Sequence, residues 1–210
     1  KPRVTGHGRQ IRAAAEAINA AERPVLYVGG GVILSEASNE LRAVAEKGRL
    51  PVTTTLLGLG AFDESNPLAL QMLGMHGAAT ANYAVQDCDL LISVAARFDD
   101  RVTGKLEAFA PKARIVHVDV DPASISKNVH VDIPVVGDAK DILARMVEYI
   151  QPVDRSGWLA RLAAWKQQYP LKYAPGGGRI KPQAVIEAVG KLSDHDAIVE
   201  INAHCRQDEL

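Results

Sequence analysis

The sequence predicts an α/β fold, an open parallel sheet with helices on both faces, and three observations carry that prediction. Short continuous apolar runs such as Val25-Leu26-Tyr27-Val28 and Leu90-Leu91-Ile92 lack polar alternation, so they suit strands buried on both sides. Between these runs, apolar residues recur at helical spacing. Aromatic residues make up only 5% of the chain, leaving Ala, Val, Leu and Ile to fill the core, as in parallel sheets.

Taken in order, Ile11, Ala14, Ala15 and Ile18 mark an amphipathic helix over residues 8–21. Pro24 introduces the first strand, Val25 to Val28, which stops abruptly at Gly29-Gly30-Gly31. Ser35 is the expected N-cap of a helix carrying Ala37, Leu41, Val44 and Ala45 on one side, and Gly48 is its stop. The β-branched run in Pro51-Val52-Thr53-Thr54-Thr55 predicts the second strand. Residues 56–66, with Gly58 and Gly60, read as irregular, and 78–86 as helical. Asp89 to Val94 predicts a third strand, Arg114 to Asp119 a fourth and Val131 to Val136 a fifth, with Pro134 arguing for an edge position. Asp138 then caps a helix that turns Ile142, Met146, Tyr149 and Ile150 inward. Strands alternating with helices imply right-handed crossovers, and this unit closes near residue 150.

Beyond it, Trp158, Leu162, Trp165 and Tyr169 mark another amphipathic helix, and Pro175-Gly176-Gly177-Gly178 a linker. Pro182 opens a helix running to Leu192, and Ala197-Ile198-Val199 begins a strand. The expected division is a sheet domain over 1–150, a helical connector and linker over 151–181, and the truncated start of a further domain over 182–210. A length of 210 residues agrees with one sizeable domain plus appendages.

Composition excludes more than it identifies. With 24 Lys and Arg against 25 Asp and Glu, a net charge of -1 gives no electrostatic reason to expect nucleic acid or an anionic membrane as partner. No apolar run approaches the ~20 residues of a membrane span, and no signal-peptide pattern opens the chain. Cys88 and Cys205 are too few for a disulfide framework or a multi-cysteine metal site.

In an open parallel sheet, ligands bind beyond the carboxyl ends of the strands. Those ends here deliver Gly29-Gly30-Gly31, Thr55-Leu56, the run Ala95-Ala96-Arg97-Phe98-Asp99-Asp100-Arg101, then Asp119-Val120-Asp121 and Gly137-Asp138. Such a set makes a cleft. Glycines after the first strand let a backbone approach a pyrophosphate, and the following helix would aim its N-terminus at it. The nicotinamide fingerprint fails, because Leu34 stands where a third glycine belongs and no acidic residue ends the second strand. Alone, the glycines equally describe a turn without a ligand.

Arg97 can clamp phosphate oxygens in bidentate fashion, and Asp99 and Asp119 can accept from hydroxyl or amino groups. The competing reading of Arg97 to Arg101 is a solvated charged loop, and Asp121 before Pro122 is equally a helix cap. His76, flanked by Gly74 and Gly77, is more often a structural histidine than a catalyst, and His117 between Val116 and Val118 belongs to the sheet. Cys88 is an inert helix-to-strand residue, and no catalytic triad or metal-ligand spacing is legible.

At these motifs the chain resembles the middle domain of acetolactate synthase (acetohydroxyacid synthase) large subunits, members of the thiamine-diphosphate enzyme superfamily. The matching segments are Gly29-Gly30-Gly31-Val32, Thr55-Leu56 with Gly58-Leu59-Gly60, Met72 to Gly77, Arg97 to Gly104, Ile115 to Pro122 and Gly137-Asp138. They run in family order over nearly all of residues 7–199. The resemblance implies a Rossmann-like domain that binds FAD in an extended pose along the carboxyl edge of its sheet. It implies contacts at Gly29, Gly30, Gly31, Thr55, Leu56, Leu73, Gly74, Met75 and His76, and at Ala95, Ala96, Arg97, Phe98, Asp99, Asp119, Val120, Asp138 and Ala139. It further places Met75, Asp100 and Arg101 at the mouth of the substrate channel, where inhibitors also pack. The family usually has Gly where this chain has Ala95; the added methyl either weakens FAD binding or is absorbed by a small shift.

The complete enzyme, by the same resemblance, condenses two 2-oxo acids such as pyruvate through thiamine diphosphate and Mg. It works as a homo-oligomer with a regulatory small subunit, in a bacterial cytoplasm or a eukaryotic organelle. The thiamine-activating glutamate belongs to a preceding domain and the magnesium motif to a following one, so this chain is expected to be inactive alone. From Glu200 onward the sequence departs from the family, and its final Gln-Asp-Glu-Leu, without a secretory signal, is not taken as an ER-retention signal. Two other readings stand beside this one. The first is a fragment of a redox flavoenzyme of the pyruvate oxidase type, against which Arg97 to Gly104 argues. The second is a structural module whose nucleotide cleft is vestigial.

Overall fold

In a computed structural model the described residues are 4–174, 180–194 and 196. The first 170 residues form one compact unit around six parallel strands. These are β1 (Pro24–Val28), β2 (Val52–Thr54), β3 (Ala69–Met72), β4 (Leu90–Val94), β5 (Arg114–Asp119) and β6 (Ile133–Val136), in the spatial order β3-β2-β1-β4-β5-β6. The α/β open parallel sheet expected from the sequence is therefore present. Strand order reverses between β1 and β4, which are joined in register from Pro24–Leu90 to Val28–Val94.

Period-two alternation sorts each strand's residues between two cores. Leu26, Val28, Ile92, Val94, Val116 and Val118 face one layer, built on α1 (Gly8–Ala20), α3 (Ser38–Gly48) and α6 (Ala139–Tyr149). Val25, Tyr27, Leu91 and Ile115 face the other, covered by α4 (Ala79–Asp87) and α7 (Ser156–Gln168). Each fully buried Leu or Ile contributes roughly 1.5–3 kcal/mol, so both faces are needed to offset chain entropy.

α7 is tied in by polar as well as apolar groups. Trp158 and Leu162 are buried, and the Trp158 indole donates to the Pro24 carbonyl at 3.2 Å. Just before the helix, the buried Arg155 guanidinium donates to the carbonyls of Gly48, Ile18 and Ala21. It thus caps the C-terminal ends of α3 and α1 together, where carbonyls lack helical partners and cations are favoured.

Several details differ from the sequence expectation, among them Tyr149, expected to face inward from α6 but exposed. A sixth strand, β3, lies in a stretch without a strand signal, and Gln71 within it has φ 68°. The segment after β1 is a one-turn helix, α2 (Gly31–Leu34), too short for an appreciable macrodipole. Ser35 ends that turn, its hydroxyl donating back to the Val32 carbonyl, and α3 starts at Ser38 instead of being capped by Ser35. By contrast, Asp138 caps α6 by accepting from the N–H groups of Lys140 and Asp141, and β6 with Pro134 is an edge strand.

The second unit, Leu171–Leu210, is represented among the described residues by α8 (Pro182–Leu192), which has Pro in its first turn. Within it the Tyr173 hydroxyl donates to Glu187 at 3.0 Å. The expected glycine linker after Pro175, the strand at 197–199 and the tail from Glu200 lie outside the described residues. Among the described residues no helix is long and apolar enough to cross a membrane.

Candidate functional site

The parallel ladder continues one step past the strands and so lines up their carboxyl ends. Thr55 N–H donates to the Val28 carbonyl, Gly29 to Val94, Ala95 to Val118, and Gly137 to Asp119. Thr55, Gly29, Ala95, Asp119 and Gly137 consequently lie along one edge, as the sequence expects of strand ends. The N–H groups of Gly30 and Gly31 make no backbone hydrogen bond among the described residues.

The glycines at this edge answer first to the protein's own packing. A Cβ on Gly29 would overlap the Ala95 carbonyl, and one on Gly30 would lie 2.8 Å from the Leu57 carbonyl oxygen. Ala95 itself has φ 51°, a left-handed conformation in which a side chain is strained. Its methyl packs beside Gly31 and against the α1/α3/α6 core.

The loop after β4 continues with a second left-handed residue, Phe98 at φ 53°. Its ring is buried against Tyr27 and His117, at centroid distances of 5.5 and 5.0 Å, so Phe98 can offer the cleft only its backbone. Arg97, by contrast, is exposed, with its guanidinium 3.9 Å from Asp99. Asp99 opens the one-turn helix α5 (Asp100–Thr103) by accepting from the Arg101 N–H; that bond, first of all, holds its carboxyl below the usual range. Asp100 and Arg101 point their charges into solvent.

The loop after β3 meets this one. The Met75 N–H donates to the Arg101 carbonyl at 3.1 Å. Gly74, at φ 100°, is clamped by Asn82, whose amide accepts from the Gly74 N–H and donates to its carbonyl. Together they wall a recess of about 310 Å³ that includes Leu73, Met75, Asp100, Arg101 and Phe109. The three expected channel residues, Met75, Asp100 and Arg101, are therefore neighbours. Leu73 has its side chain buried, while Met75 and His76 are exposed.

At the far end Asp119 is nearly buried, one carboxylate oxygen accepting from the Asp121 N–H and the other 3.8 Å from His117 Nε2. Val120 is exposed beside it. Asp121 caps the 3₁₀ turn Pro122–Ser124, so its helix-cap reading holds locally. Asp138 and Ala139 lie at the β6 end, where the Asp138 N–H is already taken by the Val4 carbonyl. Leu56 and Leu57 remain exposed in a 3₁₀ turn opened by Thr55, whose hydroxyl accepts from the Gly58 N–H.

Sequence reasoning missed the residues that hold these loops from behind. Asn128 donates to the carbonyls of Arg97 and Phe98, and Ser93 and His117 reach the Ala96 carbonyl. Asn82 among the alanines of α4 is the only one with a local signal, because Asn is a poor helix former that prefers to bond to backbone. Chemically, the edge offers unpaired backbone N–H groups and the exposed Arg97 guanidinium for a diphosphate, with carboxylates to accept from hydroxyls. That set fits a dinucleotide. Among the described residues no cluster of His, Cys, Asp or Glu is placed to hold a metal.

Comparison with known proteins identifies the family of the chain. Residues 11–146 match the family described as the central domain of thiamine pyrophosphate enzymes. The chain is 54% identical over 193 residues to an acetolactate synthase large subunit of Parasynechococcus marenigrum, covering 90% of this chain and 31% of that protein. It is 46% identical over 205 residues to an acetolactate synthase of Mycobacterium bovis, covering 94% and 33%. With the isozyme 3 large subunit of Escherichia coli it shares 43% over 205 residues, covering 94% and 36%. The chain thus spans about a third of the length of the curated relatives it matches.

Proposed function

This chain belongs to the central-domain family of thiamine pyrophosphate enzymes, and from that premise we propose that it is the FAD-binding domain of an acetolactate synthase large subunit. The observation that carries the proposal is the single edge on which the ends of β2, β1, β4, β5 and β6 gather glycines, Arg97 and two carboxylates. In this reading the N–H groups of Gly30 and Gly31 and the Arg97 guanidinium bind the diphosphate, and Asp119 accepts from a ribose hydroxyl or an adenine amino group. Thr55, Leu56, Leu73 to His76, Ala95, Ala96, the Phe98 backbone, Asp99, Val120, Asp138 and Ala139 line the remainder. FAD, when bound, serves here as a structural element, because condensing two 2-oxo acids is not a net oxidation.

Met75, Asp100 and Arg101, grouped at the recess between the β3 and β4 loops, then face the substrate channel of the complete enzyme. The condensation itself needs thiamine diphosphate and magnesium held by other domains, so the chain alone does not turn over. A homo-oligomer, a regulatory small subunit and a bacterial cytoplasmic or eukaryotic organellar setting belong to that complete enzyme.

Titration of FAD into the purified chain, followed by flavin fluorescence, tests the cofactor. Saturable binding is expected, and no binding at high micromolar FAD overturns it. An acetolactate assay with thiamine diphosphate and magnesium is expected to read zero; turnover would overturn the claim of inactivity.

A further inference from the structure

A row of polar side chains crosses the sheet beneath the cleft. Thr53, Tyr27, Ser93 and His117 are register neighbours on β2, β1, β4 and β5, and each is fully buried. Burying four polar groups in one row is unfavourable unless they have partners. Two of them share a partner in the cleft-forming loop: the Ala96 carbonyl lies 2.9 Å from His117 Nε2 and 3.3 Å from Ser93 Oγ. A carbonyl only accepts, so Nε2 must carry the ring's proton, and among the described residues His117 Nδ1 has no partner.

The loop is also held at its next two peptides, where the Asn128 amide donates to the carbonyls of Arg97 and Phe98. In a trans peptide the N–H points opposite to the carbonyl. Fixing the carbonyls of Ala96, Arg97 and Phe98 toward these donors therefore turns the N–H groups of Arg97, Phe98 and Asp99 the other way. Those three N–H groups make no backbone hydrogen bond among the described residues. Left-handed Ala95 and Phe98 show that the loop is kept in a conformation its residues do not favour alone.

We propose that His117 and Ser93 are positioning residues for the cofactor, acting through the Ala96 carbonyl to hold Ala95–Asp99 in its binding conformation. The proposal rests on the FAD reading above for its functional consequence, but its structural half can be tested without FAD. The experiment uses the full 210-residue chain as His117→Leu, His117→Gln and Ser93→Ala variants. FAD affinity is measured by flavin fluorescence, and amide hydrogen exchange is measured in the absence of FAD at the hydrogen-bonded amides that bound the loop, Ala95, Arg101 and Val102.

His117→Leu, which removes the donor, is expected to weaken FAD binding about tenfold and to speed exchange at these amides. His117→Gln, which restores an amide donor at similar reach, is expected to stay within about threefold of the parent. A folded His117→Leu chain with parental affinity and parental exchange overturns the proposal, since a purely structural histidine would lower stability and move neither. If the parent does not bind FAD, the cofactor reading fails by itself; faster exchange in His117→Leu but not in His117→Gln still supports the positioning role, and equal exchange overturns it. Should His117→Leu not fold, Ser93→Ala removes the second donor with little change in volume, and unchanged affinity and exchange there count against the proposal.

Discussion

A Cβ added to Gly31 would stand 2.6 Å from the Cβ of Ala95, so the two positions share room for one methyl group. Gly31→Ala is expected to destabilise the chain by about 1–3 kcal/mol, the usual cost of overpacking. In an Ala95→Gly background the cost should shrink, because the competing methyl is gone. A double-mutant cycle by denaturant unfolding measures the coupling, and additive effects would sink the shared-space account.

Ala95→Gly alone removes a left-handed alanine. Relief of roughly 1 kcal/mol is expected, raising the melting midpoint by about 2–4 °C. Thermal unfolding followed by circular dichroism checks the sign. A lower midpoint would mean that the methyl's packing outweighs its backbone strain.

Arg155 donates to three carbonyls at two helix ends while buried. Arg155→Met keeps the apolar stem but leaves those carbonyls without a donor, at an expected cost of about 3 kcal/mol. Arg155→Lys should recover only a part, since a single ammonium cannot span the fork. Urea unfolding of both variants distinguishes these outcomes.

The five strands with branched aliphatic runs were legible in the sequence because burial on both faces leaves a continuous apolar signature. β3 was not: Ala69-Leu70-Gln71-Met72 has no β-branched residue, and its pairing with β2 shifts register between Val52 and Thr54. The Ser35 expectation failed because the chain makes one helical turn directly after Gly30, with Gly31 packed closely on Ala95 across the loop. Strand ends could be listed from the sequence, since topology alone sends them to one edge. Of the supports, Asn82 left a signal only as a poor helix former within α4, and Asn128 and the Met75–Arg101 link left none. They join residues across loops through side-chain amides or backbone groups that leave no spacing pattern.

Burial, opposed by the nearby Asp119 carboxylate and the Ala96 carbonyl, holds the His117 pKa below its ordinary 6.5. The unfolded chain therefore binds more protons than the folded one between the lowered value and about 6.5. Stability should fall as pH drops through that window and level off below it. His117→Gln should flatten this part of the profile. An unchanged slope in chemical unfolding between pH 7 and 5 would show that another group is responsible.

Cys88 is buried, its thiol donates to the Val85 carbonyl, and burial pushes its pKa up to about 12. In a Cys205→Ser background, thiol reagents at neutral pH should react only at the rate of unfolding. Rapid labelling of the native chain would contradict the packing of α4 against β4.

The Arg155 clip also sets an order of events during synthesis. The carbonyls of Ile18, Ala21 and Gly48 emerge from the ribosome more than a hundred residues ahead of the guanidinium that satisfies them. Until residue 155 clears the exit tunnel, the ends of α1 and α3 must be served by water, and the sheet face under α7 lacks its cover. A nascent chain that has emerged from the tunnel only as far as about residue 150 would therefore display all six strands without the means to seal them, a natural substrate for chaperones.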